Sequence, residues 1–212
     1  MRWLVVGLLG AALVGGTVGL ALDGEPRSQP NSLDEGRYRG SEPPGRHELP
    51  KFSLRNYDGW RLESNDLRGR IVVLTFLDSQ CTDTCPILAS EIGGAIGGLT
   101  PAERDDVIAV AISTDPREDT PASVRAFLEK RRALGKLLYL SGPEPEMRTL
   151  WKRFQILSSL ESGEDTLHSA PVRIYDRDGV WVATLHAGAD LSEENLLHDI
   201  RSALAADRET SR

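Results

Sequence analysis

A seven-residue stretch at positions 71–77 constrains the fold of this chain more than any other feature. It reads IVVLTFL and consists almost wholly of β-branched, aliphatic and aromatic side chains. A strand with one face in water would alternate apolar and polar residues, so a continuous run predicts a strand that is covered on both faces. We therefore expect a central sheet with helices packed on its two sides.

The only two cysteines of the 212-residue chain, Cys81 and Cys85, follow this strand directly. Pro86 comes next and predicts that a helix begins there. A disulfide between positions so close would close too small a loop to constrain the unfolded chain much. The start of a helix, in contrast, lowers the pKa of a thiol and favours the reactive thiolate. The pair is therefore predicted to be redox-active or metal-binding, and a small local disulfide or two buried thiols are the alternative.

Periodicity and turn residues predict the other elements. Asn56-Tyr57-Asp58-Gly59 indicates the turn of an entry hairpin, and Asp178-Gly179 the turn of a second one. Further strands are predicted at 107–112, 137–140, 172–175 and 180–186, and helices after Pro86, after the Thr120 cap, over 147–154 and around 196–204. This order predicts an α/β domain of three layers, α/β/α, with a mixed sheet.

Glycines in the helix after Pro86 make its length uncertain from sequence. Gly93, Gly94, Gly97 and Gly98 each cost about 1 kcal/mol relative to alanine inside a helix. The helix is therefore expected either to be held by packing or to end early.

The first residues indicate a membrane segment. Positions 3–22 read WLVVGLLGAALVGGTVGLAL, twenty residues without a charge that follow Arg2. A helix of about 20 apolar residues spans a bilayer, whereas the apolar part of a cleaved signal peptide is usually shorter. We predict an N-terminal transmembrane helix, an anchor or signal-anchor, over residues 1–22, with a cleaved signal as the alternative. Arg2 places the N-terminus in the cytoplasm and the domain outside.

Residues 23–47 are rich in proline, glycine, serine and charge, with Tyr38 as their only aromatic residue. Such a segment buries too little surface to order itself and is predicted to be a flexible linker. The domain is predicted at 48–206, able to fold without the anchor, and a tail at 207–212. The formal net charge is −7 and no basic cluster is present, so no nucleic-acid partner is expected.

Four stretches of the domain carry a family resemblance: FSLRNYDGWRLESNDLRGRIVVLTF, CTDTCP, STDPREDTP and LHSAPVRIYDRDG. With them the chain resembles the SCO/SenC family of the thioredoxin superfamily, membrane-anchored copper chaperones for cytochrome c oxidase assembly. The resemblance implies copper bound by both cysteines of C-x-x-x-C-P, here Cys81 and Cys85, and by a distant histidine before Ser or Thr, here His168. It implies a metallochaperone on the periplasmic side of a membrane. Its partner would be the copper-site subunit of the oxidase or another copper chaperone.

The donor atoms agree with copper on chemical grounds. Two thiolates and one imidazole make a soft site that suits Cu(I), and also Cu(II) when the thiolates donate strongly. A structural zinc site would normally want a fourth protein ligand, and the sequence offers none at motif spacing. Binding requires both cysteines to be reduced and deprotonated, so copper loading and thiol oxidation are linked.

Two departures from the family pattern leave other functions open. The family commonly has proline after the first cysteine, where this chain has Thr82. Pro171 occupies the position of the proline that faces the cysteines in ordinary thioredoxins, and a cis Ala170–Pro171 bond would favour a disulfide reductase. A thiol-disulfide oxidoreductase, with Cys81 and Cys85 as its catalytic pair, is therefore the main alternative. A thiol peroxidase is a third, but it would need a peroxide-activating pocket that no motif indicates.

The other polar candidates have simpler explanations. Asp83 would either tune the cysteine site or keep its turn solvated, and an Asp-Pro turn accounts for Asp115. The remaining histidines are predicted to be solvated side chains rather than ligands: His47, His186 and His198.

Overall fold

The computed structural model describes residues 36–156 and 171–210, which form an α/β unit. Its strands are β1 (Ser53–Asn56), β2 (Arg61–Glu63), β3 (Ile71–Leu77), β4 (Val107–Ser113), β5 (Leu138–Ser141), β6 (Val172–Tyr175) and β7 (Trp181–Leu185). Its helices are α1 (Thr84–Gly97), α2 (Pro101–Asp105), α3 (Pro121–Lys130), α4 (Glu144–Phe154) and α5 (Glu193–Thr210), with a short 3-10 helix at Ser64–Leu67.

The strands form one mixed sheet in the order β2-β1-β5-β4-β3-β6-β7. Strands β3, β4 and β5 run parallel to one another. The pairs β1–β2, β1–β5, β3–β6 and β6–β7 are antiparallel, so the predicted hairpins flank a parallel centre. The mixed sheet expected from the sequence is confirmed.

Every residue of β3 is buried, as its apolar run predicted. Successive side chains of the strand point to opposite faces of the sheet. Ile71, Val73 and Leu77 belong to a core cluster with apolar residues of α1, α3 and α5. On the other face, Val72, Leu74 and Phe76 pack in a second cluster with residues of α4. The three-layer α/β/α arrangement follows from these two cores.

Helix α1 runs through its glycines because other segments pack close to them. A Cβ atom added at Gly93 would lie 3.0 Å from the carbonyl oxygen of Arg132, and one at Gly98 would lie 3.1 Å from a methyl of Leu197 in α5. Glycine lets these backbones approach one another. Of the two alternatives given by the sequence, the structure shows a helix held by packing.

The N-terminal segment, residues 36–49, is part of the folded unit, although most of it was assigned to the flexible linker. The carboxylate of Asp199 in α5 is fully buried and accepts the backbone N–H groups of Arg39 at 2.7 Å and Gly40 at 2.9 Å. Further along, the segment makes backbone bridges to β7 and the residue before it, Ser41 with Thr184 and Glu48 with Val180. Isolated carboxylate and bridge partners of this kind cannot be recognised from composition.

Three details differ from the sequence expectations. Helix α1 begins at Thr84, two residues before Pro86, so Cys85 lies inside its first turn. The short helix α2 was not predicted, although Thr100 and Glu103 form a capping box at its start. Helix α5 continues to Thr210, beyond the predicted end of the domain at 206. Within the described ranges, no helix has the length and apolar character needed to cross a bilayer.

Candidate metal and redox centre

The cysteine loop, residues 78–83, connects the C-terminal end of β3 to the start of α1. Its backbone folds back on Asp78, whose carbonyl oxygen accepts the N–H of Cys81 at 3.3 Å. The N–H of Asp78 points to the sulfur of Cys85, 3.5 Å away. Both cysteines are free thiols, Cys81 partly exposed and Cys85 buried. The loop and the first turn of α1 bring the two sulfur atoms into hydrogen-bond contact.

The two sulfur atoms have opposite acid–base properties. A hydrogen bond from the Cys85 thiol lowers the pKa of Cys81 to about 5, and the backbone N–H groups of Cys85 and Asp83 add to this effect against partial burial. The pKa of Cys85 is raised, because its proton is held in the hydrogen bond to Cys81 and its sulfur is buried. The sequence predicted a reactive thiolate at the helix start. The structure assigns it to Cys81, just before the helix, and leaves Cys85 protonated.

The buried carboxylate of Asp119 holds the cysteine loop in place through a hydrogen bond. Asp119, in the connection between β4 and α3, accepts hydrogen bonds from the Ser79 N–H, the Ser113 hydroxyl and the Tyr139 hydroxyl at 2.6–2.8 Å. Burial raises the pKa of Asp119, and these three hydrogen bonds oppose the shift. Sequence reasoning missed this residue. Within STDPREDTP it singled out Asp115, whose side chain accepts the N–H of Arg117 and so serves the turn.

The third predicted ligand, His168, lies outside the described residues, and so does Ala170, the partner of Pro171 in its peptide bond. Pro171 itself is buried and precedes β6. Leu74 of β3 pairs with Arg173 of β6 in antiparallel register. The start of β6 therefore lies at the end of β3 from which the cysteine loop leaves.

The other histidines have surroundings that do not include the cysteines in the described part of the chain. Nε2 of His47 contacts the carbonyl oxygen of Pro44 at 2.9 Å, in the N-terminal segment. Nδ1 of His198 lies 2.9 Å from the Asp199 carboxylate. His186 is exposed just after β7. Within the described part of the chain, no three His, Cys, Asp or Glu side chains form a group that could hold a metal ion.

A thiolate next to a buried thiol can act as a soft metal ligand or as the attacking group of a thiol–disulfide exchange. This dithiol, placed between a central strand and the following helix of a mixed α/β/α sheet, defines a thioredoxin-like protein. The SCO1/SenC family model matches residues 41–205. The chain belongs to this family.

Individual relatives are distant but cover most of the domain. An SCO2-like protein of Rickettsia typhi is 25% identical over 157 residues, which are 71% of this chain and 75% of that protein. The structure of Bradyrhizobium japonicum ScoI with copper bound is 25% identical, with a TM-score of 0.61 over 73% of this chain and 98% of that one. BsSco, a member of the Sco family of cytochrome c oxidase assembly proteins with an identified disulfide switch, has a TM-score of 0.63 at 21% identity and covers 76% of this chain and 95% of its own. The last comparison supports the fold alone.

Proposed function

We propose that this chain binds copper and delivers it to, or matures, the copper site of cytochrome c oxidase. The observation that carries the proposal is the reduced pair of Cys81 and Cys85, in which one sulfur is stabilised as a thiolate by the thiol of the other. Membership of the SCO1/SenC family supports it, as does the copper bound to a solved relative. The partner would be the oxidase subunit that holds copper, or another copper chaperone.

The donor set fits copper as the cargo. Cys81 in the loop and Cys85 in the first turn of α1 supply two adjacent sulfur atoms, and soft thiolate ligands favour Cu(I). We assign His168 as the third ligand. It stands three residues before Pro171, so even a fully extended chain keeps the two Cα atoms within about 11 Å. Because Pro171 precedes β6 at the end of the sheet that carries the cysteine loop, this distance is compatible with an imidazole ligand to the pair.

The apolar residues 3–22 complete the proposal with a single-pass anchor and an extracytoplasmic, periplasmic-type location for the domain. In such an oxidising compartment a cysteine pair can also exist as a disulfide. Copper binding would then begin only after that disulfide is reduced.

An anaerobic titration of the reduced protein with Cu(I) tests the proposal. We expect one copper ion per chain, and loss of tight binding in Cys81→Ser and in Cys85→Ser. Since two thiolates can hold Cu(I) without a third donor, His168→Ala is expected to weaken Cu(II) binding far more than Cu(I) binding. Undiminished Cu(II) binding in His168→Ala would remove that ligand from the site. A reduced wild type that binds no copper would refute the function.

The low pKa of Cys81 also favours a second function, thiol–disulfide oxidoreductase, with Cys81 as the attacking thiolate and Cys85 as the resolving thiol. This function would need the two cysteines but no imidazole ligand. His168→Ala would then retain full rates of disulfide reduction, whereas either cysteine variant would lose them. Measuring both the copper stoichiometry and the reduction rate on His168→Ala separates the two functions.

A further inference from the structure

Asp119 joins four separate parts of the fold through one buried carboxylate. Oδ1 accepts the backbone N–H of Ser79 in the cysteine loop at 2.8 Å. Oδ2 accepts the hydroxyl of Ser113, the last residue of β4, at 2.6 Å and that of Tyr139 in β5 at 2.8 Å. The residue is 9% exposed. A charged acceptor buried with three donors holds them more strongly than a neutral one would.

The link to the loop matters because of where Ser79 lies. The residue stands two positions before Cys81, and its hydroxyl makes a second contact, 3.1 Å to Oγ of Ser123 in the first turn of α3. On one side of it, the N–H of Asp78 contacts the Cys85 sulfur. On the other side of Ser79, the N–H of Cys81 donates a hydrogen bond to the carbonyl oxygen of Asp78. A shift of Ser79 would therefore change the approach of one sulfur atom to the other.

We propose that Asp119 is a positioning residue for the cysteine pair, which sets the separation and orientation of the Cys81 and Cys85 sulfur atoms by fixing the backbone of Ser79. This inference rests on the proposed function in one respect, that the pair has to meet a copper ion as well as form a disulfide. The hydrogen bonds of the carboxylate go to Ser79, Ser113 and Tyr139, so it acts on the sulfur atoms through the loop.

The test uses Asp119→Asn in the full chain, because the amide keeps the shape but puts an N–H₂ group where one of the accepting oxygens was. The first measurement is the thiol–disulfide equilibrium in glutathione buffers. In that reaction the two thiols lose two electrons and two protons to oxidised glutathione and form the Cys81–Cys85 bond, giving two molecules of reduced glutathione. The second measurement is Cu(I) affinity, by competition with a chromophoric chelator.

We expect the variant to shift the glutathione equilibrium about tenfold toward the dithiol, close to 30 mV for this two-electron couple. A loosened loop lowers the effective concentration of one thiol at the other. Cu(I) affinity is expected to fall about tenfold, because the two sulfur atoms are no longer held together.

Asp199→Asn is the matched control. Asp199 is likewise a buried aspartate, but its partners are the backbone N–H groups of Arg39 and Gly40 and Nδ1 of His198. We expect both variants to melt at a lower temperature and only Asp119→Asn to change the equilibrium and the Cu(I) affinity. Values within twofold of the wild type in Asp119→Asn, or equal shifts in Asp199→Asn, would overturn the inference.

A milder variant, Tyr139→Phe, serves if Asp119→Asn fails to fold, because it removes only one hydroxyl donor. We expect it to shift the glutathione equilibrium toward the dithiol by at least threefold. A change below twofold in that variant would overturn the inference. If the wild type binds no copper, the proposed function fails, and the glutathione equilibrium alone still decides whether Asp119 positions the pair.

Discussion

Cys81 and Cys85 are separated by three residues, yet they have different surroundings. Cys81 is partly exposed and receives hydrogen bonds, and Cys85 lies in the first turn of α1, within the same core cluster as Leu88 and Ile92. The exposed sulfur can therefore meet a partner while the buried one stays protected. This arrangement suits thiol–disulfide exchange, which begins with the attack of one accessible thiolate on a disulfide sulfur.

The acidity of Cys81 gives a prediction about its reactivity. Thiolates, not thiols, react with iodoacetamide, and the pKa of Cys81 is lowered to about 5. We expect its alkylation rate to be nearly constant from pH 6 to pH 8 and to fall about tenfold per pH unit below pH 5. Mass spectrometry of peptides after short labelling measures the rate at each cysteine separately.

Cys85 supplies the control for this experiment. Because its pKa is raised and its sulfur is buried, it should remain unlabelled while Cys81 reacts. A Cys81 rate that rises steeply through pH 8, as for an ordinary exposed thiol, would contradict the hydrogen-bonded pair.

Among individual residues, the sequence was enough to single out the cysteine pair but not the residues that hold it in place. Only two cysteines exist, and their position after a buried strand is visible in the sequence. Asp119, in contrast, stands among several charged residues in STDPREDTP with nothing to distinguish it from Asp115. Its partners Ser113 and Tyr139 are 6 and 20 residues away, and their hydroxyls meet the carboxylate only when β4, β5 and the loop before α3 are assembled.

Among the elements, α1 shows how packing overrides local preference. A helix with several glycines is a poor helix by itself, but here the small residues let the chain after α3 and the helix α5 approach closely. Leu88 and Ile92 of this helix are buried in the core. The glycines leave space in which neighbouring segments pack close to the helix.

Gly93→Ala tests this interpretation of α1. The added methyl would meet the backbone of Arg132 and Ala133 at 3.0–3.1 Å. Overpacking a rigid contact costs about 1–3 kcal/mol, and the alanine gains about 1 kcal/mol in helix propensity. We expect the free energy of unfolding to fall by up to about 2 kcal/mol, measured by urea denaturation.

Gly97→Ala is the matched control in the same helix. Gly97 is exposed, and an added methyl would meet only the end of the flexible Lys136 side chain. This variant is expected to raise the free energy of unfolding by up to about 1 kcal/mol. Equal effects at the two positions would show that propensity alone decides the stability of α1.

The elements that the sequence predicted best are those whose signal is local. The buried run of β3, the Asp178-Gly179 turn and the Thr120 cap were each located correctly, because a few adjacent residues specify them. The start of α1 was placed two residues late, because proline is also accepted within a first turn, where its missing N–H is not needed. The length of that helix depends on contacts from segments distant in sequence.

For the whole molecule, the main difference from expectation is the position of the N-terminal segment. Proline, glycine and charge made residues 23–47 look like a linker, yet residues from 36 onward are fixed to α5 and β7. The contacts that fix this segment are made by backbone N–H groups. Such groups are common to almost all residues and therefore leave no signal in the sequence. Residues 39–41 are therefore part of the packing of the folded unit.

A comparison of two shortened chains, beginning at residue 36 and at residue 42, tests this role. The shorter one lacks the Arg39 and Gly40 donors and leaves the Asp199 carboxylate without those two hydrogen bonds. Hydrogen bonds to charged groups contribute about 1.5–3 kcal/mol each, so we expect the shorter chain to lose about 3–6 kcal/mol and still unfold cooperatively. Urea unfolding measures the difference.

Asp199→Asn, introduced into both chains, completes the cycle. The substitution should destabilise the longer chain clearly and the shorter chain little, because only the longer one keeps the donors. Identical unfolding midpoints for the two unsubstituted chains would contradict the structural role of residues 36–41.

The same segment also closes the sheet. A strand at the border of a sheet exposes N–H and C=O groups that can recruit a strand from another molecule and so start aggregation. Here β7 shares its outer hydrogen bonds with Ser41 and His47. At the opposite border, β2 is only three residues long and exposes the charged Arg61 and Glu63. Both borders of the sheet are thus poor templates for pairing with another copy of the chain.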